Sequence, residues 1–282
     1  MIVAVVNADD FGLSVSINAG IRDAYEHGIL RSASLMANGE GFDDAVSRVK
    51  EHPGLGVGIH LSLVGERPIA PAHKLRGLID SEGRLPPSYA DFARGYLSRR
   101  FTPSEVHREM EAQIVHVLRA GIRPTHLDSH QHVHLMPGVF DLTLDLAEAY
   151  KIRVVRIPHD RAVFSPALAS GRGVQLGVLV FLSALARSKI RRRGLQCAAF
   201  FHGLVDSGRL DTQVLCAILS RLGHGVHEIM CHPGFETPAL RHHYAWGYTW
   251  ESEAVALRSA AVKKLVERRG IRLRNFAEAW RN

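Results

Sequence analysis

The sequence predicts an α/β fold, a distorted (β/α) barrel of about seven parallel strands resembling a TIM barrel, and three observations carry this. Short apolar, β-rich runs alternate along the chain with longer helical patterns. The steps between runs leave room for the crossover helix that parallel strands require. Aspartates and histidines gather where the runs end, and strands of a parallel barrel bring such positions onto one rim.

Taken in order, the first strand spans 2–7 and runs into the Asp9-Asp10 pair. A helix over 16–27 leads to a strand at 32–38, and a helix over 42–51 to a strand at 55–60. A helix over 103–120 has the clearest start, because Thr102-Pro103-Ser104-Glu105 reads as a capping box with proline in the first turn. A strand at 124–128 follows it. Helices over 139–150, 175–188 and 212–222 then alternate with strands at 153–157, 198–202 and 228–231. A helix over 253–269 precedes a weaker strand near 271–274. Two segments break the rhythm. Ser62 to Arg100 is rich in Pro, Gly and charge and too long for a plain connection. The stretch VQLGVLVFLSALA from Val174 is unusually apolar and meets a basic cluster ending at Arg193.

At 282 residues the chain is long enough for a sizeable core, and residues 1–282 are expected to form one domain. A hydrophobic fraction of 46% with 22% charge excludes a disordered chain. The net charge of +7 admits a polyanionic partner, but no RNP-like motif, zinc-finger spacing or basic heptad array supports nucleic acid. Cys197, Cys216 and Cys231 form no CxxC pair, which fits a reducing compartment. MIVAVVNADD lacks the basic start of a signal peptide, and no run approaches the ~20 apolar residues of a membrane span, so a cytoplasmic location is expected.

The densest feature is THLDSHQHVH at 125–134, where His126, Asp128, His130, His132 and His134 all alternate. In an extended chain they would share one face. A carboxylate and two imidazoles with positions left for water suit a hydrolytic divalent cation. One aspartate of the Asp9-Asp10 pair, His60 and one histidine of this stretch would supply them. The other aspartate of the pair could then accept a proton from water. Each residue alone reads more readily as a surface or core group; their convergence on one rim points to a metal. Asn38, His202 and His232 also fall at strand ends. His126 and His134 read as structural, and Asp128 as the acceptor orienting a ligand imidazole.

Several stretches together resemble the YdjC/ChbG-like carbohydrate deacetylase family: VNADDFGLS at 6–14 with Asn18 and Gly20, GIHLSL at 58–63, PTHLDSHQHVHLMP at 124–137 and MCHPG at 230–234. The resemblance implies a (β/α) barrel enzyme, a hydrolase that removes acetyl groups from N-acetylated sugars with one divalent ion. It implies that Asp10, His60 and His130 are the metal ligands, Asp9 the catalytic base and His232 a general acid. Zinc is favoured over magnesium on donor chemistry. HYAWGYTWESEAVALRSAAV at 243–262 resembles the hopanoid-biosynthesis, HpnK-like branch, which implies an N-acetylglucosaminyl hopanoid substrate. For such a glycolipid, Val174–Arg193 reads either as an interfacial helix at the inner membrane face or as a buried barrel helix. Trp246, Tyr248 and Trp250 read as packed core, with sugar stacking as the alternative. Competing functions are a soluble chito-oligosaccharide deacetylase, a metal phosphoesterase, and a non-catalytic lipid- or metal-binding protein.

Overall fold

The structure, a computed structural model, describes residues 1–160 and 171–281, with backbone alone for 171–176. Seven strands form one parallel sheet: β1 (Ile2–Phe11), β2 (Ser32–Leu35), β3 (Gly56–Leu61), β4 (Leu127–Ser129), β5 (Phe200–His202), β6 (Gly225–Cys231) and β7 (Ile271–Leu273). Their order is β4-β3-β2-β1-β6-β5, with β7 paired to the start of β1. β7 and β2 share one edge of β1, β7 along Ile2–Ala4 and β2 from Asn7 onward.

The expected strand at 153–157 is reduced to bridges, Leu127 with Val155 and Val154 with Gln196. Those bridges carry the pairing from β4 towards β5, so the sheet curls into the distorted barrel that the alternation of elements predicts. Beyond Val155 the chain turns to bury Arg156 and no longer runs as a ladder partner.

The helices are α1 (Val15–His27), α2 (Phe42–Glu51), α3 (Tyr89–Leu97), α4 (Pro103–Arg119), α5 (Val139–Ala149), α6 (Gly171–Arg192), α7 (Thr212–Arg221), α8 (Pro238–His243), α9 (Trp250–Arg258) and α10 (Ala260–Arg268). The capping box is present: Thr102 Oγ1 accepts from the Glu105 N–H, and the Glu105 carboxylate accepts from the Thr102 N–H. The helix expected over 253–269 is two, broken at Ser259, whose ψ of 134° is extended. The long segment after β3 contains α3, and α4 holds it down. Buried Glu109 accepts the N–H groups of Ile69 and Ala70, and Gln113 bonds the backbone of Ser62.

A candidate metal centre beside a cavity

In a flat strand Asp9 and Asp10 would point to opposite faces. The register between β1 and β2 slips between Ala8 and Phe11, and Asp10 takes a left-handed φ of 61°. That irregularity turns both buried acids towards the barrel centre. A non-glycine residue held left-handed is strained, and such strain concentrates at functional sites. Asn18 on α1 supports the following turn, accepting from the Gly12 N–H at 2.7 Å and donating to the Gly41 carbonyl at 2.9 Å.

Across the sheet His60 and Asp128 are register partners on β3 and β4. His60 Nδ1 donates to Asp128 Oδ1 at 2.8 Å, leaving Nε2 turned towards Asp10 Oδ1 at 3.5 Å. His130 Nδ1 lies 3.0 Å from the same oxygen. Asp10, His60 and His130 therefore place ligand atoms within 4.8 Å of one another, all buried. Asp10 Oδ2 is buried without a hydrogen-bond partner among the described residues. A carboxylate with one oxygen shared by two imidazoles and the other unpartnered is a donor set that a divalent cation fits.

Electrostatics agree. Burial would raise the Asp10 carboxyl, but His130, His60 and His232 outweigh it and hold it well below the usual carboxylate range. Burial would lower His60, yet the carboxylates of Asp128 and Asp9 push it up to about 10.

The sequence gives Arg156 no visible role, yet it is fully buried and joins three acids. Its Nη1 and Nη2 grip Asp9 at 2.6 and 2.7 Å, Nη1 also lies 2.9 Å from Asp128, and Nε donates to Glu228 at 2.6 Å. Asn7 Nδ2 adds a bond to Asp9 at 3.0 Å. A charged residue inside the apolar run VVRIP was the available signal, since an arginine at a strand end otherwise reads as a surface cation.

The histidine-rich stretch is not one extended face. β4 ends at Ser129, and 130–135 form a tight turn with Gln131 and His132 left-handed at φ 52° and 54°. The turn sends the histidines to different tasks. His126 packs on Gly58, where any Cβ would meet the ring at 2.3 Å, and lies 2.9 Å from Ser34 Oγ. Because Ser34 donates its proton to Asp128 at 2.7 Å, His126 Nε2 carries the hydrogen between them. His134 Nε2 donates to the Arg156 carbonyl at 3.0 Å and Nδ1 accepts from Ser129 Oγ at 2.6 Å. Burial pushes His126 and His134 down to about 4, as neutral structural groups should be. His132 lines the cavity described below, its Nδ1 unpartnered among the described residues.

His232 follows β6 in the HPG turn. Its backbone N–H donates to buried Glu253 at 2.5 Å, its ring lies 4.8 Å from Tyr248, and its Nδ1 has no partner among the described residues. Gly20 brings α1 onto this turn; a Cβ there would fall 2.4 Å from the Gly234 Cα. Asn38 and His202 do not join the centre: Asn38 bonds the Arg67 carbonyl and His202 bonds His227 at 3.0 Å.

Asp9, His60, His130 and His232 open into a cavity of about 640 Å³. α3 and the residue before it contribute Ser88, Tyr89 and Ala90, fixed where the Tyr89 N–H donates to Gln131 at 2.9 Å. The opposite wall is apolar: Val178, Leu179 and Leu182 of α6 with Leu204 and Met230. Tyr248 lines the cavity, Trp246 leans on His130 at 5.1 Å and Trp250 is core. The aromatic run is thus divided between packing and site.

A parallel α/β barrel with an acid–imidazole cluster at its strand ends and an adjoining cavity has the layout of a barrel enzyme. A family profile described as YdjC-like protein matches residues 3–268, and the chain belongs to that family. It is 32% identical over 276 residues to a carbohydrate deacetylase of Brevibacillus brevis, covering 97% of this chain and 98% of that one. To a chitooligosaccharide deacetylase of Enterobacter sp. (strain 638) it is 32% identical over 282 residues, covering 97% and 98%. A crystal structure from Enterococcus faecalis V583, provisionally described as a cellobiose-phosphate cleavage protein, matches with a TM-score of 0.76 at 26% identity, covering 97% of each chain.

Proposed function

We propose that this protein is a divalent-metal-dependent N-deacetylase that removes the acetyl group from an N-acetylglucosaminyl unit, carried on a hopanoid glycolipid. Its class is hydrolase, acting on a linear amide C–N bond, in keeping with full-length similarity to carbohydrate deacetylases. The observation that carries the reading is the pairing of an orphaned ligand cluster, Asp10, His60 and His130, with a separately braced carboxylate, Asp9, at the same cavity.

Asp10, His60 and His130 would hold the ion, with zinc favoured by two imidazoles and magnesium the alternative. When bound, it supplies Lewis acidity to the acetyl carbonyl and acidifies water. Asp9 accepts the proton of the attacking water, its orientation set by Arg156 and Asn7. His232 lines the cavity, its Nδ1 unpartnered among the described residues, and would protonate the departing amine as acetate leaves. Asp128 keeps His60 in the tautomer that presents Nε2.

The apolar wall supports an aglycone more hydrophobic than a second sugar. On α6 the cavity-lining Val178 and, at helical spacing, Phe181 and Leu185 are exposed, as an apolar approach to the cavity would need. The basic cluster supports membrane contact less than its composition suggests. Lys189 is paired with Asp141, and Arg193 with Asp145 and Glu148. The side chains of 174–176 lie outside the described residues, and no described helix is long and apolar enough to cross a membrane. A second reading, deacetylation of soluble chito-oligosaccharides, is favoured by the Enterobacter relative.

The test is acetate release from an N-acetylglucosaminyl hopanoid and from N,N′-diacetylchitobiose by metal-loaded protein, with Asp9→Asn as control. Release from the hopanoid alone supports the lipid substrate, and release from chitobiose alone the second reading. No release from either would sink the deacetylase assignment.

A further inference from the structure

A second group of ligand-type side chains overlaps the first. Asp9, His60 and Asp128 also place ligand atoms within 4.8 Å of one another, and all are buried. The two groups share His60 but differ in what fills them. Asp10 Oδ2 in the first group has no partner among the described residues, whereas a guanidinium already occupies the second. Arg156 Nη1 lies 2.6 Å from Asp9 Oδ2 and 2.9 Å from Asp128 Oδ2, and Nη2 lies 2.7 Å from Asp9 Oδ1.

We propose that Arg156 is a resident cation in a latent second metal position, and that it keeps the centre mononuclear and Asp9 off the ion. The proposal rests on the reading that Asp10, His60 and His130 hold one ion. Adjacent buried carboxylates need counter-charge, and either a second divalent cation or a basic side chain can provide it. The choice has a chemical consequence. A metal withdraws charge from the carboxylate oxygens it binds, so an Asp9 ligating one would be a much weaker base. A guanidinium donates hydrogen bonds, stays protonated and leaves the carboxylate a base.

The surroundings hold the guanidinium in that position from several sides. Nε donates to Glu228 Oε1 at 2.6 Å, the Phe201 ring lies 5.7 Å from the guanidinium carbon, and His134 fixes the Arg156 carbonyl. Removing the guanidinium while keeping the volume would leave the Asp9 and Asp128 carboxylates facing each other, oxygen donors for another divalent ion.

Chelator-stripped protein is titrated with Mn²⁺, ions per chain are counted by native mass spectrometry, and spin coupling is read by electron paramagnetic resonance. Wild type is expected to saturate at one ion with an uncoupled spectrum, and Arg156→Lys, which retains the charge, likewise. Arg156→Met is expected to take two, with a coupled spectrum, and Arg156→Met/Asp9→Asn to return to one. Two coupled ions in wild type would overturn the proposal even where Arg156→Met does not fold. So would a single ion in Arg156→Met with a native near-ultraviolet circular dichroism spectrum. Wild type that binds no ion would instead overturn the metal centre itself, which separates that failure from this one.

Discussion

The two halves of the barrel are built differently. From β1 to β4 the strands pair as neighbouring ladders; His60 and Asp128 are register partners, and Asp9 and Asp10 sit at the one slip, between β1 and β2. From Val154 to β5 the pairing thins to single bridges, and there α6, Leu204 and Met230 form the apolar wall of the cavity. Proton transfer and metal binding demand positions fixed to about 0.5 Å, which a hydrogen-bonded ladder supplies. Accommodating a bulky group demands room, which appears where the ladder opens. Arg156 joins the halves, entering from the thin side and gripping acids on the regular one.

If this division is right, the largest effects come from the regular half. Asp9→Asn should lower kcat by about 10²- to 10⁴-fold while leaving metal content unchanged. Wild-type turnover would remove Asp9 from the reaction, and loss of metal would make it a ligand instead. His60→Ala should lose the ion, as elemental analysis would show directly.

A pH experiment sharpens the same point. The His60 imidazole, pushed up to about 10 in the metal-free centre, contributes stability that is fully present below its unfolded value near 6.5. That contribution is lost as pH rises through about 10. Chelator-treated protein should therefore lose thermal stability between those values. Metal affinity should rise over the same window, by about tenfold per unit while one proton must be displaced. A flat Tm for the metal-free protein would show that His60 is not held protonated.

The thin half should respond through substrate preference. Leu182→Ala is expected to raise KM for an apolar-aglycone substrate by about 10-fold, since a buried side-chain contact of this size carries roughly 1.5 kcal/mol. Chitobiose turnover should stay as it was. Equal effects on both substrates would mean that the wall supports the fold rather than the aglycone. Smallest of all, Thr102→Ala removes a helix cap remote from either half. It should cost about 1 kcal/mol in urea denaturation with turnover unchanged.

Much of this architecture was legible in the sequence because it depends on local pattern. Apolar periodicity marked the strand–helix alternation, Thr102 and Glu105 marked the start of α4, and the family motifs named the residues gathered at the centre. Other features were not, because they depend on what meets across space. Whether 125–134 stays extended was undecidable from alternation alone; left-handed Gln131 and His132 end it and divide four histidines among candidate-ligand, cavity and structural positions. The break at Ser259 is invisible to helical periodicity, which runs on through it.

By itself, then, the sequence determined the fold class and the chemical types collected at the barrel rim, since hydrophobic period and residue chemistry are local properties. Only the tertiary structure decided which of the two overlapping candidate ligand groups already faces a cationic side chain. That side chain is Arg156, which lies 147 residues along the chain from Asp9 and reaches it only because the barrel brings both into one buried centre. Burial then forces every charge there to find a partner.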